Sequence, residues 1–202
     1  TSTLQQDASR KLRLSAKATM DAAQALFEAG AITYHRTDSP RVADEAAAMA
    51  RDWIARHHPD TLPATPPRAR SAAGAQDAHE AIRPTRLEQE EIPAGAPATL
   101  YAMIRARFLA SQARPARIDR TTVWIDAGPV AWVAEGAVVV ERGFLEFWGP
   151  YVKQEDVVLP AVAPGQTLDV ETLRAHERST SPPPRYDQGA LIKKLETSGI
   201  GR

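Results

Sequence analysis

A change of hydrophobic period near residue 117 constrains this chain more than any other feature. Before it, apolar residues recur at helical spacing; after it, they alternate or run together between Gly and Pro turn signals. Helical spacing gathers apolar side chains on one face of a helix, whereas alternation gathers them on one face of a sheet. The sequence therefore predicts an α+β fold, a mainly helical domain followed by an antiparallel β segment. With 202 residues, 43% of them hydrophobic, the chain can build a sizeable core.

Within the helical part, Leu4, Ala8 and Leu12 mark a first helix. Ser15 reads as the N-cap of a second, which carries Met20, Ala23, Leu26 and Phe27 and ends at Gly30. Ala31 to Tyr34 is a short β-prone run that breaks into Arg36-Thr37-Asp38-Ser39-Pro40. Residues 42 to 58 return to helix, the proline-rich stretch 59 to 75 reads as a loop, and 97 to 113 is a third long helix. Strands are expected at 118 to 125, 130 to 140, 144 to 148 and 166 to 173. The Ser179 to Pro184 run is a stiff linker by composition, and an amphipathic helix starts after it with no obvious partner. The expected domains are 1–117 helical, 118–180 β-rich, and 181–202 a linker with the start of a further helical domain. Trp53, Trp124, Trp132 and Trp148 sit in apolar stripes and are expected in the core.

Composition removes several kinds of chemistry. Zero cysteines exclude disulfides, thiol nucleophiles and thiolate zinc sites. No stretch approaches the roughly 20 apolar residues of a membrane span, and the polar start lacks a signal-peptide core, so a cytoplasmic protein with no membrane partner is expected. The balance of 25 basic against 25 acidic residues hides a polarity: residues 1–120 hold 17 Lys and Arg against 14 Asp and Glu, and residues 121–202 hold 8 against 11. All but two of the basic residues in the first part are arginine, whose planar fork suits phosphate.

Two short segments concentrate functional groups. In Ile32-Thr33-Tyr34-His35-Arg36-Thr37-Asp38-Ser39, an extended backbone sends Tyr34 and Arg36 to the same side, so a phenol and a guanidinium meet one ligand. A phenol is a poor nucleophile until something favours its phenolate, and an adjacent guanidinium does that while neutralising a phosphate under attack. The pair suits attack on a phosphodiester, giving a phosphotyrosine ester that keeps the bond energy for resealing. The alternative packs Tyr34 in the core and pairs Arg36 with Asp38 or another acid. In His79-Glu80-Ala81-Ile82-Arg83 the zinc-helix pattern fails because position 83 is arginine, which leaves His79 to donate to phosphate or shuttle a proton and Arg83 to bind a second phosphate. A helix cap with surface ion pairs is the alternative there. Lys11 and Arg41 are outer phosphate candidates, and Asp38 completes the candidate set.

Thr1-Ser2-Thr3-Leu4-Gln5-Gln6, Ala31 to Ser39, Ala78-His79-Glu80-Ala81-Ile82-Arg83-Pro84-Thr85 and Gly199-Ile200-Gly201-Arg202 together resemble, in order, the motifs of the type IA DNA topoisomerases. The region from about 118 to 178 carries only fold-level likeness. The resemblance implies that Tyr34 attacks one DNA strand and holds its 5′ phosphate, that Arg36 assists cleavage, and that His79 binds a phosphate or nucleotide nearby. It implies relaxation of negative supercoils without ATP, on single-stranded or negatively supercoiled DNA, in a nucleoid-associated enzyme. It also implies an amino-terminal Toprim domain holding Mg²⁺, which is not in this sequence, and a C-terminal DNA-gripping part that continues past Arg202. The chain alone is accordingly expected to be an inactive central fragment with no metal of its own. His35 stands where methionine or proline is common in the two main subfamilies, which leaves the subfamily open. Two rival functions are a non-catalytic single-stranded-DNA clamp of the same architecture and an unrelated hydrolase using His79 with Glu80.

Overall fold

The computed structural model describes residues 1–65, 79–88 and 92–200. The part of the expected loop at 66–75, Gln76 to Ala78, and the closing Gly201-Arg202 lie outside the described residues. The elements in order are α1 (Ser2–Leu12), α2 (Ala16–Glu28), α3 (Asp44–His57), α4 (Ala96–Gln112), β1 (Arg117–Ala127), β2 (Val130–Glu141), α5 (Leu145–Trp148) and α6 (Gln188–Thr197). The strands β1 and β2 pair as a two-stranded sheet, so the fold is α+β.

Residues group into two compact units: Thr1–Arg117 with Val139–Gln154 and Tyr186–Arg202, and Ile118–Val138 with Glu155–Arg185. In the first unit α4 is the central helix. Its apolar residues lie on several faces, as a helix buried on several sides requires. Leu100, Met103 and Ile104 join Ala8, Ala23, Leu26 and Ile32 in one cluster, while Phe108, Leu109 and Ala113 join Ala50, Ile54 and Phe147 in another. Helix ends follow local chemistry. The Ser15 hydroxyl accepts the Ala18 N–H at 3.1 Å to start α2, and Gly30 takes a left-handed φ of 67° just beyond its end.

Several expectations are corrected. Residues 144–148, read as strand, form the single turn α5 between Gly143 and Gly149, a length too short for any period to show. Residues 166–173 alternate but form no strand, because no described strand lies beside them to pair with. Trp124 and Trp132 are exposed rather than core, since a two-stranded sheet leaves outer faces uncovered. The division of the chain also differs from the expected one. Residues 139–154 return to the helical unit, and α6, expected to open a further domain, packs on α1. Gly189 lets the two helices approach, since a Cβ there would meet Ser9 at 3.1 Å, and Glu196 accepts bonds from Ser2 and Gln6.

Candidate functional site

The segment 32–39 is irregular, with bends at 33, 35 and 36, and its burial alternates from Tyr34 to Ser39. Ile32, His35, Thr37 and Ser39 are buried, while Tyr34, Arg36 and Asp38 are exposed. Tyr34 and Arg36 are both exposed, as the expected shared side requires. Tyr34 is 46% exposed, which excludes the alternative in which its ring serves as core. Among the described residues neither Arg36, Asp38 nor Arg41 forms an ion pair, so the cations stay available to an incoming anion.

Local hydroxyls hold this segment without a regular sheet. The Thr1 hydroxyl donates toward the His35 and Thr37 carbonyls at 2.8 and 2.9 Å and lies 2.9 Å from the Thr37 N–H. The Thr37 hydroxyl then accepts the Ser39 N–H, and the Ser39 hydroxyl accepts the Arg41 N–H. Each bond satisfies a backbone group that no strand neighbour serves.

The second motif is zipped to the first. Ile32 and Pro84 form an antiparallel bridge, the Thr33 N–H donates to the Arg83 carbonyl at 2.9 Å, and the Thr85 N–H donates to the Ala31 carbonyl at 3.0 Å. The Thr33 hydroxyl donates to the Ala81 carbonyl at 2.8 Å and accepts the Arg83 N–H at 3.0 Å. Glu80 has two tasks: one carboxylate oxygen accepts the Ala43 N–H at the start of α3, and the other pairs with Arg83 at 2.8 Å. The side chain of Arg83 is mostly buried against Glu80 and the Pro84 carbonyl. It braces the segment from within, so the expectation of an open phosphate fork is corrected; the ion-pair alternative is the one realised. His79 is half-buried at the edge of this brace.

Lys11, expected as an outer phosphate contact, is committed elsewhere. Its ammonium donates to the Tyr151 carbonyl at 2.7 Å and sits 5.2 Å over the Trp148 ring. A cleft of about 330 Å³ borders the site, lined in part by Thr37, Asp38, Ser39, Arg83, Arg107 and Trp148; Tyr34 is not among its lining residues. Among the described residues no group of three His, Asp or Glu side chains is arranged to hold a metal ion.

Sequence reasoning missed the clamp of Thr1, Thr33, Thr37 and Ser39, the capping role of Glu80, and the Phe27 ring. Phe27 lies edge-on to Tyr34 with centroids 5.4 Å apart. The run of hydroxyl residues at 33, 37 and 39 was the available signal. His35 is buried, and burial first, then the neighbouring Arg36, holds its pKa below the ordinary histidine range.

Comparison with known proteins places these features in a wider set. The sequence model of a family described as DNA topoisomerase matches residues 1–202. The chain is 42% identical over 208 residues to the DNA topoisomerase 1 of Vibrio cholerae, covering all of this chain and 24% of that protein. It is 39% identical to the DNA topoisomerase 1 of Treponema pallidum, covering 30% of that protein. The full-length topoisomerase I structure from Thermotoga maritima superposes with a TM-score of 0.79 at 30% identity, over all of this chain and 35% of that one. The chain thus spans about a quarter to a third of the length of these relatives.

Proposed function

This chain belongs to the type IA DNA topoisomerase family, and on that premise we propose that Tyr34 is the nucleophile that breaks and reseals one DNA strand. The phenol oxygen of Tyr34 attacks a backbone phosphorus, a P–Oη bond forms, and the bond from that phosphorus to the 3′ oxygen breaks. The tyrosine gives up its proton, and the departing 3′ oxygen takes one up. The 5′ phosphate stays on Tyr34 until the 3′ hydroxyl attacks in reverse, so no ATP is needed. Arg36, exposed as well, neutralises charge that develops on the phosphate. Arg41 and His79 contact neighbouring phosphates of a single strand, with Asp38 at the same edge. Arg83 acts indirectly, by bracing Thr33.

The observation that carries this reading is the exposed triplet Tyr34, Arg36 and Asp38 on a segment whose other side is locked by hydroxyls. In this reading Mg²⁺ belongs to a Toprim domain of the whole enzyme, and no step here passes through it. The whole enzyme relaxes negatively supercoiled DNA in the cytoplasm at the nucleoid, and the 202-residue chain by itself cleaves no strand.

The test joins this chain to a separately made Toprim-containing half, Mg²⁺ and supercoiled DNA, and traps the covalent adduct with denaturant. Tyr34→Phe is expected to lower the adduct at least about a hundredfold while leaving single-strand affinity within about twofold. An adduct that persists in Tyr34→Phe would require another nucleophile.

A further inference from the structure

One buried polar group beside the proposed nucleophile has no part in that chemistry. His35 is 1% exposed, and neither of its ring nitrogens has a hydrogen-bond partner among the described residues. An imidazole in that position has given up water at both nitrogens, so its favourable contacts must come from the ring itself. Those contacts are aromatic. The ring centroids lie 5.7 Å from Phe27 and 5.5 Å from Tyr34, and Phe27 stands 5.4 Å from Tyr34 at 68°. Edge-on and tilted arrangements at such distances are the attractive ones for aromatic pairs. The phenol ring is half exposed, so these two neighbours limit its swing on the protein side.

We propose that His35 is a positioning residue for Tyr34: its buried imidazole, together with the Phe27 ring, forms the wall that holds the phenol toward the DNA strand. The proposal rests on Tyr34 being the nucleophile. Thr1 contributes by fixing the His35 carbonyl, which anchors the backbone on which both rings sit.

The wall depends on the absence of charge. The charged side chains facing His35 are Arg36 on its own segment and Glu28 at the end of α2. Burial first, and then Arg36, outweigh the Glu28 carboxylate and favour the neutral ring. The unfolded chain takes up this proton in the ordinary histidine range, the folded chain only at lower pH. The packing contribution of His35 is therefore complete above that range and is lost as the pH falls through it. Neither nitrogen of the buried ring has a hydrogen-bond partner among the described residues, so an imidazolium is disfavoured in this position, and a ring that moves out to find one takes the wall from Tyr34.

Two measurements separate this inference from the reading it rests on. In the 202-residue chain, NMR should show the Tyr34 ring resonances moving with proton uptake by His35 below about pH 6.5. The same resonances should stay still in His35→Met, which fills a similar volume and cannot take the proton. Tyr34 resonances that ignore the His35 titration overturn the inference, whatever the enzyme does. In the reconstituted enzyme, adduct formation should fall as the pH is lowered from roughly 7.5, by less than about tenfold at pH 5.5 and further below it, with single-strand affinity changed less than about twofold. His35→Met should flatten that profile, and a variant that keeps the acid loss overturns the inference. An adduct in Tyr34→Phe would instead remove the nucleophile reading, while the NMR coupling still decides whether His35 positions the ring.

Discussion

Two stretches of non-helical backbone in this molecule are held in opposite ways. The hairpin β1–β2 has a regular ladder, yet no residue of β1 is buried and only Gly136 of β2 is. The segment 32–39 has one isolated bridge, yet Ile32, His35, Thr37 and Ser39 are buried. Ladder hydrogen bonds exchange water for a neighbouring strand at small net gain, so a hairpin without a covered face has little to fix it. Segment 32–39 is fixed by burial of alternate side chains and by hydroxyls that reach it from residues 1, 33, 37 and 39. A side chain that must meet a phosphate within a few tenths of an ångström belongs on the second kind of support.

If burial is what makes the difference, the largest effect should come from the core beneath the segment. Leu100 on α4 is fully buried in the cluster that includes Ile32. Leu100→Ala is expected to cost about 2–5 kcal/mol in urea unfolding, the usual range for a buried leucine removed from a packed site. A cost below about 1 kcal/mol would mean that the cluster does not support the segment as described. A smaller loss should follow Thr33→Val, which keeps the volume and removes one hydroxyl. The Ala81 carbonyl and the Arg83 N–H then lose their partner, at about 1–2 kcal/mol. Adduct formation should fall about tenfold, since Thr33 ties the Tyr34 segment to the second motif. Stability lost without adduct lost would separate the clamp from the chemistry.

The same contrast explains what could be read from the sequence. Helices α1 to α4 were legible because their apolar spacing repeats over several turns, and Ser15 and Gly30 mark the ends of α2 by local chemistry. The exposure of both Tyr34 and Arg36 was legible because period two needs only neighbouring residues. The Thr1 and Thr33 bonds of the clamp were not, because their partners are 34 to 50 residues apart and nothing in either segment names the other. The open fork expected of Arg83 failed for that reason too: Glu80 lies three residues away, but its burial depends on α3 and the segment that carries Thr33. Alternation at 166–173 misled in the other direction, since a β-prone run becomes a strand only when a second strand is beside it. The exposed Trp124 and Trp132 belong to the same class of error: hydrophobic character says that a residue gains from burial, and the tertiary fold decides whether anything covers it.

The smallest effect is expected in the hairpin, where it probes the other half of the contrast. Trp124 on β1 is 72% exposed, so most of its ring already faces water in the folded chain. Replacing it with threonine, a good strand former, keeps the backbone preference while removing that ring. Trp124→Thr should therefore change unfolding free energy by less than about 0.5 kcal/mol, the range for surface positions with no special contact. Loss of an exposed apolar ring should also lower self-association, which light scattering at high protein concentration would report. The two compact units allow a sharper form of the experiment, because they need not unfold together. Leu100→Ala should move the transition that carries most of the helical signal and leave any separate hairpin transition where it was. A cost of about 2 kcal/mol for Trp124→Thr would show that the ring is covered in solution, and the hairpin would then be held, like the segment that bears Tyr34, by burial and not by its ladder.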